Sequence, residues 1–195
     1  NHIFVHEDIS NTQVINQLLQ DYKPHLILNF AAESHVDNSI KNPGAFIQTN
    51  IVGTFNVLDV AKQHWMEAPN TCKKGFENAR FHHISTDEVY GSLGNEGSFS
   101  EESTYSPSSP YSASKASSDH FVNSWNKTFG LPTIITNCSN NYGPFQFPEK
   151  LIPLMISKAI KGQSLPIYGQ GDQIRDWLYV DASKSKGKNL RRIHL

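Results

Sequence analysis

Apolar and polar positions alternate along this chain with two different periods, and the switches between them mark out the elements. Val14, Ile15, Leu18 and Leu19 fall at helical spacing within Thr12–Tyr22, and Pro24 ends that helix. Ahead of it, HIFVH (2–6) reads as the end of a strand. Behind it, LILNFA (26–31) is an unbroken apolar run of the length of a buried strand. Pro43 is placed to open a second helix. Its apolar positions, Phe46, Ile47, Ile51, Phe55, Val57, Leu58 and Val60, are too many for one stripe and predict burial on two sides. The remaining pattern predicts a strand at RFHHIST (80–86), a helix over 109–129 and a strand over Thr133–Cys138. A helix over 149–161 and short strands at 165–168 and near 177–180 complete it. APNTCKKGFENAR (68–80) reads as a polar surface loop. The Gly-, Ser- and Pro-rich segment 91–110 is a loop of a length that usually serves function.

Strands alternating with helices predict an α/β fold, a doubly wound parallel sheet of Rossmann-like type with helices on both faces. Such a fold normally opens strand, GxGxxG, helix, and the chain contains no such motif. The expectation is therefore a fold entered part-way, truncated at its N-terminus.

Composition narrows the classes. At 195 residues, with 37% hydrophobic and 18% charged residues, the chain can bury one good core. No run of 18 apolar residues predicts a membrane span, and the start, NHIFVHEDIS, has no signal-peptide pattern. A net charge of −1 gives no reason to expect nucleic acid. Residues 182–195 alone carry five Lys or Arg and no acid, which leaves the rest at −6. This segment is expected to be a solvated, poorly ordered tail, with a phosphate-binding arm as the alternative. Cys72 and Cys138 match no metal spacing and read as idle thiols of a cytoplasmic protein. The nine histidines form no metal-binding pattern, so no metal is expected.

Candidate chemistry sits in two stretches. Tyr111 and Lys115 are four apart in the predicted helix 109–129 and share a face. A phenol is a poor base at neutral pH, and a neighbouring ammonium is expected to favour its phenolate. In HHISTDEVYG (82–91), Thr86, Asp87 and Glu88 stand together where a strand ends. Two adjacent carboxyls suit a base and an acid whose pKa values are pushed apart. For both to reach one substrate the backbone must leave regular β geometry over 86–88, because successive strand residues face opposite ways.

Together with AAESHVDNSI, TNIVGTFNVLDVA, SPYSASKASSDH, TNCSNNYGPFQFPEKLIPL and LPIYGQGDQIRDWLYV, this stretch closely resembles the extended short-chain dehydrogenase/reductases, and within them the dTDP-glucose 4,6-dehydratases. The resemblance runs from about residue 3 to 181. It implies an NAD-dependent lyase acting on dTDP-glucose, a soluble homodimer pairing through long helices, with neither membrane nor nucleic acid as partner. The implied catalytic residues are Thr86, Asp87, Glu88, Tyr111 and Lys115. Cofactor contacts are implied for Asp8, Ile9, Phe30, Ala31, Ala32, Glu33, Ser34, Thr49, Tyr111, Lys115 and Asn141. Substrate contacts are implied for Ser34, Thr86, Asn140, Lys150, Leu151, Pro166, Ile167, Tyr168 and Arg175; of these, the two cations suit a diphosphate.

The expected organisation is a partial NAD-binding domain over 1–147, the start of a nucleotide-sugar-binding region over 148–181, and the basic tail, which has no counterpart in the family pattern. Two alternatives stay open. One is a nucleotide-sugar epimerase or decarboxylase on the same scaffold, against which Asp87 and Glu88 argue. The other is a non-catalytic remnant that only dimerises.

Overall fold

The computed structural model describes residues 2–93, 97–167, 171 and 174–181. The expected tail at 182–195 lies outside them, as does Tyr168. The chain divides into two compact units, one within 1–92 and 104–137 and the other within 93–103 and 138–195.

The first unit begins with helix α1 (Thr12–Tyr22), whose N-cap Asn11 accepts from the amide of Val14 and whose C-cap Lys23 turns left-handed ahead of Pro24. Strand β1 (Leu26–Asn29) follows, then a short helix α2 (Val36–Lys41) that the apolar pattern did not mark. The predicted second helix is one helical run in three parts: α3 (Pro43–Phe46), a π-helical stretch (Ile47–Gly53) and α4 (Thr54–Trp65). The wider π turns re-aim the buried face midway, which accounts for apolar positions too numerous for a single α stripe. A small antiparallel hairpin, β2 (Met66–Ala68) with β3 (Thr71–Cys72), overlaps the start of the expected loop 68–80. Strand β4 (Arg80–Thr86), helix α5 (Pro110–Phe129) and strand β5 (Thr133–Cys138) stand where the pattern places them.

The main sheet has the order β1-β4-β5, with β1 and β4 parallel and Asn29 opposite His83. This is the α/β class expected. The core joins Leu19 of α1 with Val57, Leu58 and Trp65 of α4, Phe81 of β4 and Val122 of α5, and Ile27 and Ile135 pack against it. Helix α5 is fixed at both ends. Ser109 and Ser112 exchange side-chain and backbone hydrogen bonds in a capping box, and Gly130 closes the C-terminus at φ 71°.

Three expectations fail here. The expected strand end at 2–6 forms no strand, because it pairs with no other described strand and a lone extended segment gains no ladder. The run 26–31 shortens to four residues and is buried on one face only: Leu26 and Leu28 remain 56% and 51% exposed. In the second unit, the described part of the strand expected at 165–168, residues 165–167, is irregular.

That second unit contains β6 (Asn140–Tyr142), which pairs in parallel with β7 (Trp177–Tyr179), and helix α6 (Leu151–Ile160), one to two residues shorter at its ends than predicted.

Candidate active site

The strand β4 ends at Thr86, and Asp87–Tyr90 forms a single 3-10 turn. At three residues per turn, Asp87 and Glu88 leave the backbone about 120° apart instead of on opposite faces. The departure from β geometry required by the two acids is therefore present. Thr86 organises it: its hydroxyl accepts from the Glu88 amide at 3.2 Å and donates to Oδ1 of Asp87 at 3.2 Å. The Asn137 amide donates to the Thr86 carbonyl at 3.2 Å and so holds the strand end from β5.

Tyr111 projects from the first turns of α5 toward this turn. Burial pushes its phenol up to about 12, with the negative charge of Glu88 next in effect and that of Asp87 smaller. The nearby Thr86 hydroxyl, which favours the phenolate, works the other way. Phenol, hydroxyl and both carboxyls thus share one locality. Phe46 packs edge-on against the Tyr111 ring at 6.3 Å.

Lys115 lies one turn on, 3% exposed. Its ammonium donates to the Ile84 carbonyl at 2.7 Å and stands 3.3 Å from Nε2 of His83. The expected lowering of the phenol by this ammonium is corrected: burial and the acids win, and Lys115 spends a hydrogen bond on β4.

The segment after β1 is held by a residue that sequence reasoning missed. Buried Asn50, in the π-helical stretch, accepts from the Glu33 amide at 2.8 Å and donates to the Glu33 carbonyl at 3.0 Å. It also lies 2.8 Å from the Ser114 hydroxyl, which donates to the Tyr111 carbonyl at 2.7 Å. Glu33 and Tyr111 are thereby tied through two side chains. Phe30 is 69% exposed, Ala31 and Ala32 are half-buried, and Glu33 and Ser34 are exposed. Thr49 is half-buried beside Asn50.

Asp8 and Ile9 lie elsewhere on this unit. The Asp8 carboxylate accepts from the backbone and hydroxyl of Ser10, both at 2.7 Å, and those bonds hold it below the usual carboxylate range. Ile9 packs so closely on Gly53 that a Cβ there would sit 2.6 Å from its side chain.

In the second unit, Asn140 and Asn141 pair with Trp177 and Leu178, which puts Arg175 just ahead of the same ladder. The Asn141 amide donates to the Ser139 carbonyl at 3.0 Å, and Arg175 donates to the Ile174 carbonyl at 2.8 Å. Lys150 is the N-cap of α6 and lies 3.5 Å from the Glu149 carboxylate. Leu151 and Ile167 are exposed and Pro166 is half-buried.

Sequence reasoning also missed the polar layer beneath the site, made by His83, Ser85, Tyr105, Ser118 and Asp119. Spacing could have found Asp119, which is four beyond Lys115 on the stripe of α5 that carries Tyr111.

A profile of the GDP-mannose 4,6 dehydratase family matches residues 1–184. The chain belongs to that family. Among its relatives is a dTDP-glucose 4,6-dehydratase of Xanthomonas campestris pv. campestris, 57% identical over 179 residues, which are 92% of this chain and 50% of that protein. A crystal structure of the dTDP-glucose 4,6-dehydratase of Bacillus anthracis in complex with NAD superposes with a TM-score of 0.79 at 43% identity, over 95% of this chain and 53% of that one. The UDP-glucuronic acid 4-epimerase of Bacillus cereus, solved with UDP-glucuronic acid and NAD, also gives 0.79, at 30% identity over 95% and 56% of the two chains. The chain thus spans about half the length of the relatives it matches. Epimerase and dehydratase share the scaffold, so the side chains must distinguish them.

Proposed function

We propose that this chain carries the catalytic side chains of an NAD-dependent dTDP-glucose 4,6-dehydratase. The observation that carries the reading is the turn at the end of β4, where the Thr86 hydroxyl is bonded to Asp87 and Thr86, Asp87 and Glu88 all bear on the Tyr111 phenol. An epimerase needs one proton-transfer group at C4. Loss of water across C5 and C6 needs a further base and a further acid, and two carboxyls beside the tyrosine supply them.

In the ligand-bound protein Tyr111 acts as the phenolate and takes the proton of the sugar C4 hydroxyl while Thr86 hydrogen-bonds that oxygen. The C4 ketone so formed acidifies the C5 hydrogen, which Glu88 removes as a proton. Asp87 donates a proton to the C6 hydroxyl, which leaves as water. When bound, NAD supplies the hydride acceptor at C4 and the hydride donor at C6. A proton returned to C5 gives the 4-keto-6-deoxy sugar.

The residues present fit the nicotinamide end of such a cofactor. Tyr111 and buried Lys115 sit on α5, and the small Ala31 and Ala32 follow β1, where a parallel sheet of this class places its ligand. Residues 30–34 and Thr49 are assigned to that end, Asp8 and Ile9 to the adenine, and Asn141 to a further contact. Asn140, Lys150, Leu151, Pro166, Ile167, Tyr168 and Arg175 are assigned to the dTDP moiety, with Ser34 facing the sugar. The assigned domain limits are 1–147 for the cofactor part and 148–181 for the nucleotide-sugar part.

A cytoplasmic homodimer completes the reading. In its support, Phe55 of α4 stays 37% exposed and meets Phe121 and Trp125 of α5 edge-on at 6.4 and 5.7 Å, an aromatic cluster that a second helix pair would cover. No helix among the described residues is long and apolar enough to cross a membrane.

Incubation with dTDP-glucose and NAD tests the reading by product. The 4-keto-6-deoxy sugar is the expected outcome; a C4 epimer would replace this function with epimerisation.

A further inference from the structure

Helix α5 buries a carboxylate that the steps above do not use. Asp119 is 0% exposed, one turn beyond Lys115. Its Oδ2 accepts from the Ser85 hydroxyl at 2.7 Å, the Tyr105 hydroxyl at 3.0 Å and the Asn137 amide at 3.3 Å. Three donors on one oxygen favour the ionised form of the carboxylate. Its Oδ1 has no hydrogen-bond partner and lies 3.4 Å from Nε2 of His83. That same nitrogen is 3.3 Å from Nζ of Lys115.

The three groups form a short buried line, and its charges can be assigned. The His83 imidazole is neutral, because burial and then the Lys115 charge bring it down to about 3. Positive charge facing Asp119 therefore resides on Lys115. Burial pushes the Asp119 carboxyl up, against the hydrogen bonds of Ser85 and Tyr105 and the attraction of Lys115. A buried ammonium or carboxylate is costly alone and tolerable when paired. Other groups bearing on the line are Tyr111 on α5, His82 beside His83, Tyr90 beside Tyr105, and Glu88 and Asp87 beyond the phenol.

Building on Tyr111 and Lys115 as the catalytic pair, we infer that Asp119 is their positioning residue. Its charge, acting past His83, keeps the Lys115 ammonium protonated and aimed at β4. Its bonds to Ser85 and Asn137 set the strand end from which Thr86, Asp87 and Glu88 project.

The test is a carbon-13 titration of Lys115 by NMR in the protein and two variants. Asp119→Asn lowers the proton affinity of Lys115 about tenfold or more, the size expected for losing an opposite charge at this range. Tyr105→Phe removes one hydrogen bond but leaves the charge, and changes that affinity less than threefold. In turnover of dTDP-glucose, Asp119→Asn moves the alkaline limb of kcat to lower pH with KM nearly unchanged. An unaltered Lys115 titration in Asp119→Asn overturns the inference. Should that variant not fold, the aspartate carboxyl carbons of the unsubstituted protein decide: an Asp119 protonated at neutral pH overturns it, and an ionised one supports it. Absence of dehydrated product from the unsubstituted protein would sink the functional reading alone, because the lysine titration needs no turnover.

Discussion

The ammonium of Lys115 donates to the Ile84 carbonyl at 2.7 Å, two residues before Thr86 at the end of the same strand. This bond commits part of the cation to the backbone of β4, so the phenol of Tyr111 answers chiefly to burial and to Glu88 and stands at about 12. In the protein without ligand, Tyr111 should therefore show no phenolate absorbance below about pH 10, the value of an ordinary tyrosine. The check is a difference titration of the protein against Tyr111→Phe. A tyrosine ionising near neutrality in that difference would mean that Lys115 governs the phenol directly.

His83 makes the fold acid-sensitive. Its folded value of about 3 lies below the unfolded 6.5, so between those limits the unfolded chain binds more protons than the native one. Stability from this group is complete above pH 6.5 and is lost as pH falls toward 3, by roughly 5 kcal/mol at the lower limit. Urea unfolding at a series of pH values should show a shallower acid loss for His83→Asn than for the unsubstituted protein. Equal slopes would show that the imidazole is not held neutral.

Gly91 ends the turn after β4 at φ 90°, and a Cβ there would lie 2.5 Å from the carbonyl oxygen of Ser106. Gly75 has a similar φ, 94°, with open space around it. Gly91→Ala should therefore cost about 2 kcal/mol or more, and clearly more than Gly75→Ala, which carries the backbone penalty alone. Equal losses in chemical denaturation would mean that the loop at Ser106 yields freely.

Asn50 joins Glu33 to Ser114 and hence to the Tyr111 carbonyl. Asn50→Ala removes three hydrogen bonds, two to the Glu33 backbone and one to the buried Ser114 hydroxyl, and should cost about 2–4 kcal/mol. Amide exchange at Glu33 should accelerate in step. A loss under about 1 kcal/mol would show that the segment after β1 is held by other contacts.

Much of this fold can be read from periodicity because α1, β4 and β5 each carry one clean pattern with its own punctuation. Thr12–Tyr22 is bounded by Asn11 and Pro24, and RFHHIST is bounded by the turn it feeds. Legibility fails where stabilisation is not apolar. Helix α5 buries Ser112, Ser114, Lys115, Ser118 and Asp119 beside Ala116 and Val122, so much of its inner face is polar, and His83 and Asp119 look like surface residues. It fails again where a strand's identity depends on a neighbour, as at 2–6 and 165–167, whose own composition suits a strand but which pair with no described strand. The tyrosine, lysine and acidic pair are legible as candidates because the proposed chemistry needs fixed residue types at fixed spacing. The Asn50 clamp and the direction of the Lys115 bond depend on packing between distant segments.

The division of labour between Tyr111 and Glu88 can be measured in one experiment. Glu88→Gln is mixed with dTDP-glucose and NAD, and the reduced nicotinamide and the released sugar are followed together. Reduced cofactor should accumulate without 4-keto-6-deoxy product, because C4 oxidation survives while removal of the C5 proton is lost. Tyr111→Phe should give neither. Full turnover by Glu88→Gln would contradict the account and remove that carboxylate from the chemistry.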